Sequence, residues 1–206
     1  MKKELDHYYI GDSYGGSQDW FTDLWMNRGG CAAVTACDAC IVMARNLGLT
    51  GLYPFDPERI TREDYLAFAD RMKQTLFPRP KGVNTTALYM DGLREYLDPR
   101  PGPVPKMRGV QGSVPFEAAA AEIRGAIDRG FPVPYLMLRH TDDSLDDFIW
   151  HWFLLNGYDD GSDAFRVKVV SYGEWVWMDL GHLWDTGFDE KGGFVVFSLD
   201  GPPSVS

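Results

Sequence analysis

Apolar residues recur at helical spacing in four segments of the first 130 residues. In the first of them, Val34, Cys37 and Ile41 lie three or four positions apart, and small or apolar residues between them widen the stripe. A stripe of this width is typical of a mostly buried helix, and Gly48 follows it as a natural terminator. The spacing predicts helices over residues 32–47, 62–76, 86–97 and 116–129.

Signals at the ends of these segments agree with the periodicity. Thr61 stands where a helix N-cap is expected, and Gly130 stands just past the end of the fourth helix. Four prolines between positions 99 and 105 prevent the third helix from continuing, and they predict an extended connector there.

The apolar pattern changes to strand type after Gly130. Short runs dense in β-branched and aromatic residues predict strands over 132–138, 149–155, 165–170, 174–180 and 193–199. Turn signals at 159–163 and at Tyr172-Gly173 separate consecutive runs. Because helices come first and strands afterwards, the order favours an α+β fold with an antiparallel sheet. We expect a single domain over 1–206, with a helical lobe over 1–130 packed on a sheet lobe over 131–200.

The charge of the chain limits its partners. Lys and Arg number 20 against 30 Asp and Glu, and residues 141–206 carry the whole surplus of the net −10. An acidic surface repels phosphate, so we expect neither nucleic acid nor an anionic membrane as a partner, and a basic peptide is the more natural ligand. No apolar run has membrane-spanning length and no signal-type segment opens the chain, so the expected location is the cytoplasm.

The three cysteines, Cys31, Cys37 and Cys40, lie within ten residues, an odd number that suits a reducing compartment rather than a disulfide framework. Cys37 and Cys40 fall on the apolar stripe and are assigned to packing, because no second Cys or His pair accompanies them as a zinc site requires. Cys31 follows Gly29 and Gly30 at the predicted start of the helix, where free N–H groups lower a thiol pKa and stabilise an oxyanion. Cys31 is therefore the candidate nucleophile.

His151 is the candidate base. It lies among bulky apolar residues on a predicted strand, where a histidine is either a core residue with satisfied nitrogens or a base held rigidly by the sheet. The residues alone leave both interpretations open. His7, His140 and His182 are assigned to structural or surface roles.

Several motifs occur in an order that resembles a known family. They are Gly30-Cys31, Leu47-Gly48 at the end of the buried helix, Gly130-Phe-Pro-Val-Pro134, His151-Trp-Phe-Leu-Leu-Asn-Gly-Tyr-Asp159 and Tyr172-Gly173. Over about residues 15–199 this order is similar to the bacteriocin-processing (double-glycine leader) peptidase-like branch of the papain-like cysteine peptidases. The resemblance implies a papain-like fold and hydrolysis of a peptide or amide bond, with neither a metal nor an organic cofactor.

The resemblance also implies roles for individual residues. Cys31 attacks the acyl carbon, and His151 takes the proton and returns it. Gln18, the only glutamine upstream of the cysteine, helps to form the oxyanion hole, with Asn27 as the alternative donor.

This chain departs from the family pattern at two positions. Ser171 stands where the family has an Asn or Asp that orients the histidine. A serine hydroxyl accepts a hydrogen bond but offers no full negative charge, so Asp147 and Asn156 are alternative orienting residues. Ala32 follows the nucleophile where the family commonly has glycine.

The surroundings of the candidate site suggest how a substrate is selected. The acidic segment 141–147 leads into the strand with His151 and is expected to overhang the site, which favours a basic substrate. Trp20, Trp25 and Trp150 are candidates to line a cleft beside the thiol. Two alternative functions remain open: a catalytically degenerate peptide-binding module, and a thiol acyltransferase or amidase acting on a non-peptide substrate.

Overall fold

An antiparallel sheet forms the centre of the fold. The computed structural model describes residues 1–161 and 163–199. Its main strands are β1 (Lys2–Glu4), β4 (Lys106–Gln111), β5 (Val133–Met137), β6 (His151–Asp159), β7 (Arg166–Ser171), β8 (Glu174–Asp179) and β9 (Gly192–Ser198), and a separate hairpin contains β2 (Tyr9–Ile10) and β3 (Ser13–Tyr14). The strand order is β4-β9-β5-β6-β7-β8, and β1 pairs with β6 outside this path. Every pairing in this sheet is antiparallel, and with the helices it confirms the predicted α+β fold.

Helices pack around the sheet. They are α1 (Leu24–Gly29), α2 (Cys31–Leu47), α3 (Arg62–Thr75), α4 (Thr86–Leu97), α5 (Phe116–Asp128) and α6 (Leu180–Trp184), with 3-10 turns at Gln18–Trp20, Thr50–Leu52 and Asp143–Phe148. The four predicted helices are confirmed to within one or two residues at each end. The predicted cap is confirmed as well, because the Thr61 hydroxyl accepts the Asp64 N–H at 3.0 Å. Gly48 ends α2 in the left-handed conformation, with φ of 67°.

Helix α2 lies at the centre of the molecule. Its residues from Ala32 to Ala44 are all buried, and the helix packs on β6 and on α3. Many of these side chains are Ala or Cys, so the neighbouring elements approach the helix closely on all sides. The Thr35 hydroxyl donates to the carbonyl oxygen of Trp152 at 3.1 Å and ties α2 directly to β6.

The sequence prediction missed two strands of the sheet. β1 and β4 come from the first 130 residues, so the order of helices followed by strands is incomplete. β4 has a single buried residue, Val110, and β1 has none, which left little apolar pattern to detect. Of the predicted turn at 159–163, Ser162 lies outside the described residues, as do residues 200–206 at the end of the predicted domain.

The strand with His151 begins two residues later than predicted. Trp150 has a φ of 54°, in the left-handed region, and this conformation cannot continue a strand. Within the described part of the chain, no helix has both the length and the apolar character needed to cross a bilayer.

Candidate active site

A cleft of about 710 Å³ opens where the N-terminus of α2 meets the start of β6. Gln18, Cys31 and His151 line it. A narrow extension with room for about one water molecule leads from these same residues to Ser171. The structure therefore brings all four predicted site residues together around one cavity.

Cys31 is the first residue of α2, and Gly30 is the residue that allows it to be there. The Gly30 N–H donates to the carbonyl oxygen of Met26 at 2.9 Å and closes the end of α1. A Cβ atom at Gly30 would collide with that same carbonyl oxygen. The glycine thus lets α1 turn directly into α2, so that the cysteine side chain reaches the cleft.

The thiol of Cys31 is neutral in the resting protein. Burial raises its pKa, although the backbone N–H groups of Trp152, Ala32 and Cys31 itself act in the opposite direction. The prediction that the helix N-terminus lowers this pKa is therefore wrong, because the loss of solvent outweighs the favourable N–H groups. Cys37 and Cys40 are fully buried on the same helix, as predicted for packing residues.

The His151 side chain is held from two directions. Its Nε2 atom lies 2.7 Å from the Ser171 hydroxyl, and its ring stacks on Tyr172 with centroids 4.8 Å apart and planes within 1°. Burial lowers the pKa of His151 to about 4, so the imidazole is neutral near pH 7. When the Nε2–H donates to Ser171, the Nδ1 atom carries the lone pair that a base requires.

A tight turn supplies both contacts to the imidazole. Tyr172 and Gly173 join β7 to β8 with φ values of 53° and 77°, as in a type I′ turn. Ser171 is the last residue of β7, immediately before this turn. The predicted turn at Tyr172-Gly173 therefore positions the residues that orient His151.

Gln18 lies in the first 3-10 turn, and its side chain borders both parts of the cleft. Its amide nitrogen donates to the main-chain carbonyl oxygen of Asn27 at 3.3 Å. The Oε1 atom of Gln18 is buried and has no partner among the described residues. Asn27, the alternative donor, does not line the described cleft and instead fixes Gln18 through its carbonyl group.

Neither alternative orienting residue contacts His151. The Asn156 side chain is fully buried, and its amide nitrogen donates to the Tyr14 hydroxyl at 3.3 Å. Asp147 has no hydrogen bond to His151 among those of the described residues. Ser171 is the residue that occupies this position.

Trp150 is the aromatic residue that lines the cleft, whereas Trp20 and Trp25 are absent from its described lining. The Trp150 side chain is 49% exposed, immediately before His151. Bulky residues rarely adopt a positive φ, and such conformations concentrate at functional sites. The backbone at Trp150 therefore presents an indole to the cleft rather than to the core.

The expected acidic wall is not part of the cleft. No residue of the 141–147 segment is among the described lining residues, and Asp142 accepts a hydrogen bond from the His182 ring at 2.9 Å instead. Sequence reasoning missed the loop that does form this wall, residues 79–84. That loop has neither helical nor strand periodicity, so no pattern in the sequence linked it to the cysteine.

A buried polar cluster lies behind the cleft. The Asp38 carboxylate accepts hydrogen bonds from the hydroxyls of Tyr8 and Tyr65 at 2.6 and 2.7 Å, and burial raises its pKa to about 6. His7 stacks against Tyr8 and Tyr14, and neither of its ring nitrogens has a partner among the described residues. Burial lowers the pKa of His7 to about 3.

Comparison of the sequence with protein-family models and with curated protein sequences gives no match. Among the described residues, no group of three or more His, Cys, Asp or Glu side chains is arranged to hold a metal ion.

Proposed function

We propose that the protein is a papain-like cysteine peptidase that hydrolyses a peptide or amide bond, with Cys31 as nucleophile and His151 as base. One observation carries the proposal. Cys31 and His151 are the first residues of α2 and β6, and both line the same cleft. A thiol and an imidazole carried by two elements of the core at one cleft are the pair of groups that nucleophilic catalysis requires, which supports the proposal.

The reaction begins from two neutral groups. His151 removes the proton from the Cys31 thiol as the sulfur attacks the carbonyl carbon, which forms a tetrahedral oxyanion and an imidazolium. The Gln18 amide and backbone N–H groups near the sulfur stabilise the oxyanion. The imidazolium then protonates the leaving amine as the C–N bond breaks, which leaves a thioester on Cys31. Water, deprotonated by His151, hydrolyses the thioester and restores both groups.

Burial keeps the imidazole neutral at the start of the reaction, and it also makes the imidazolium that forms less stable. Because its pKa is about 4, His151 is unprotonated and available as a base over most of the physiological pH range. Ser171 and Tyr172 limit the rotation of the ring, so the base keeps one orientation through both proton transfers.

The experiment compares the reactivity of all three cysteines between pH 4 and 9 by alkylation with iodoacetamide and peptide mass spectrometry. We expect Cys31 to react faster than the buried Cys37 and Cys40, which serve as internal controls. His151→Ala should slow the reaction of Cys31 at pH 7 by about 100-fold, the scale of a lost general base. Hydrolysis of a peptide library should disappear in both Cys31→Ala and His151→Ala, and Cys40→Ala should retain it.

The opposite result would favour the peptide-binding module. If Cys31 reacts like an ordinary buried thiol and His151→Ala leaves its rate unchanged, the two groups do not form a catalytic pair. Hydrolysis that survives Cys31→Ala would likewise exclude the proposed nucleophile.

A further inference from the structure

We propose that the cleft selects substrates with a carboxylate close to the reacting carbonyl group, and that Arg28, Arg79 and Lys81 recognise it. This inference rests on the proposed function and names the substrate class of the same site. It reverses the expectation of a basic substrate that the acidic C-terminal third suggested.

The charge of the cleft is opposite to the charge of the chain. Its described lining includes three cationic side chains, Arg28, Arg79 and Lys81, and one carboxylate, Glu190. The chain as a whole has a net charge of −10. Cations that line a concavity attract anions to it, whereas the acidic remainder of the surface repels them.

The protein itself does not neutralise these three cations. Within residues 1–161 and 163–199, none of their side chains forms a hydrogen bond or an ion pair. Arg45, by contrast, pairs with Asp6 at 3.0 Å and with Glu58 at 3.3 Å. The charges at the cleft therefore remain available to a ligand.

The positions of the cations relate them to the reacting groups. Arg28 lies in the last turn of α1, three residues before Cys31. Arg79 and Lys81 belong to the 79–84 loop, in which the carbonyl oxygen of Val83 accepts the Trp152 indole N–H. Since Trp152 follows His151 on β6, the loop is attached to the same strand as the base.

Carboxylates are scarce among the side chains that line the cleft. Burial raises the pKa of Tyr172, and the charges of Cys31, Asp19 and Asp147 act in the same direction. Asp19 and Asp147 are not among the described lining residues, where Glu190 is the one carboxylate. A substrate carboxylate is therefore stabilised when it points toward Arg28 and the 79–84 loop.

Binding to the catalytically silent Cys31→Ser protein tests the inference without any need for hydrolysis. Four fluorescent peptides of equal length are compared. The first is neutral and amidated, the second and third are the same amidated peptide with one residue replaced by Glu or by Lys, and the fourth is the neutral peptide with a free C-terminus. We expect the Glu peptide or the free C-terminal peptide to bind about tenfold more tightly than the Lys peptide, and the preferred one identifies the source of the carboxylate. The preference should weaken as salt increases.

Matched variants identify the groups responsible. In the Cys31→Ser background, the triple substitution Arg28→Gln, Arg79→Gln and Lys81→Gln should abolish the preference. Arg59→Gln removes one exposed cation outside the cleft and should leave the preference intact. Four results would each overturn the inference. They are equal binding of all four peptides, tighter binding of the Lys peptide, no binding of any peptide, and a preference that survives the triple substitution.

A second measurement separates this inference from the proposed function. The ratio of the Cys31 alkylation rates with iodoacetate and with iodoacetamide should fall in the triple variant and not in Arg59→Gln. This ratio reports the charge around the thiol whether or not His151 acts as a base. Hydrolysis without a carboxylate preference would therefore overturn only the substrate class, and a carboxylate preference without hydrolysis would overturn only the peptidase.

Discussion

The Nε2 atom of His151 forms its hydrogen bond, 2.7 Å long, with the hydroxyl of Ser171. A hydroxyl fixes the orientation of an imidazole, but it gives the imidazolium none of the stabilisation that a carboxylate provides. This chain therefore has a buried histidine that is oriented by a neutral partner, with a pKa of about 4.

Replacement of Ser171 should separate orientation from charge. Ser171→Ala removes one hydrogen bond of about 1 kcal/mol and should lower the rate of Cys31 alkylation at pH 7 several-fold. Ser171→Asp adds a negative charge that stabilises the imidazolium, so the pKa of His151 should rise and the acid limb of the pH–rate profile should move to higher pH. The contact between His151 and Ser171 would be contradicted if the acid limb of the pH–rate profile did not move in Ser171→Asp, provided that this variant unfolds at the same temperature as wild type.

The left-handed conformation of Trp150 makes a prediction about stability. Trp150→Ala and Trp150→Gly both remove the indole from the cleft, but only glycine adopts a φ of 54° without steric cost. We therefore expect the glycine variant to be more stable than the alanine variant by about 1 kcal/mol in urea unfolding. Both variants should bind peptides equally weakly. Equal stability of the two variants would show that the backbone at this position is not strained.

Asp38 should destabilise the protein near neutral pH. Its folded pKa of about 6 is raised above the ordinary value of 3.8, so its contribution to stability is complete below pH 3.8 and is lost as the pH rises through 6. The change amounts to about 3 kcal/mol. Asp38→Asn retains an acceptor for Tyr8 and Tyr65 without the charge, and its stability relative to wild type should increase between pH 4 and 7. A constant difference over that range would contradict the prediction.

His7 should destabilise the protein at acidic pH, whereas Asp38 does so near neutral pH. Its folded pKa of about 3 is lowered from 6.5, so the stability it contributes is present above pH 6.5 and is lost as the pH falls toward 3. His7→Phe keeps an aromatic ring between Tyr8 and Tyr14. The free energy of unfolding that is lost between pH 6.5 and pH 3 should be smaller in this variant than in wild type, by up to about 5 kcal/mol. His182→Gln is the control: its ring is half exposed and pairs with Asp142 at 2.9 Å, so this substitution should change the acid sensitivity far less than His7→Phe.

The sequence was most informative where the apolar pattern was strong. The limits of α2 followed from its apolar stripe and from Gly48, and a turn was predicted at Tyr172-Gly173, although not its type. The meeting of Cys31 and His151 did not follow from periodicity, because no local pattern relates a helix start to a strand start 120 positions later. The family resemblance was the only basis for expecting it.

Tertiary structure explains where local reasoning fell short. The pKa of Cys31 was predicted from the helix terminus alone, whereas burial by the surrounding tertiary structure has the larger effect. The basic substrate, expected from the acidic last third of the chain, stays a prediction. The described lining of the cleft holds cations from Arg28 and from a loop with no regular pattern, and total charge does not determine where individual charges lie.

The hydrogen bond from Thr35 to the Trp152 carbonyl joins segments that are 117 residues apart. Bringing together segments of such long sequence separation costs chain entropy before the contact itself adds any stability. Because Cys31 begins α2 and His151 begins β6, the thiol and the imidazole come to line one cleft only when these two elements have packed together. A chain with an intact α2 but without β6 in place would still lack the site.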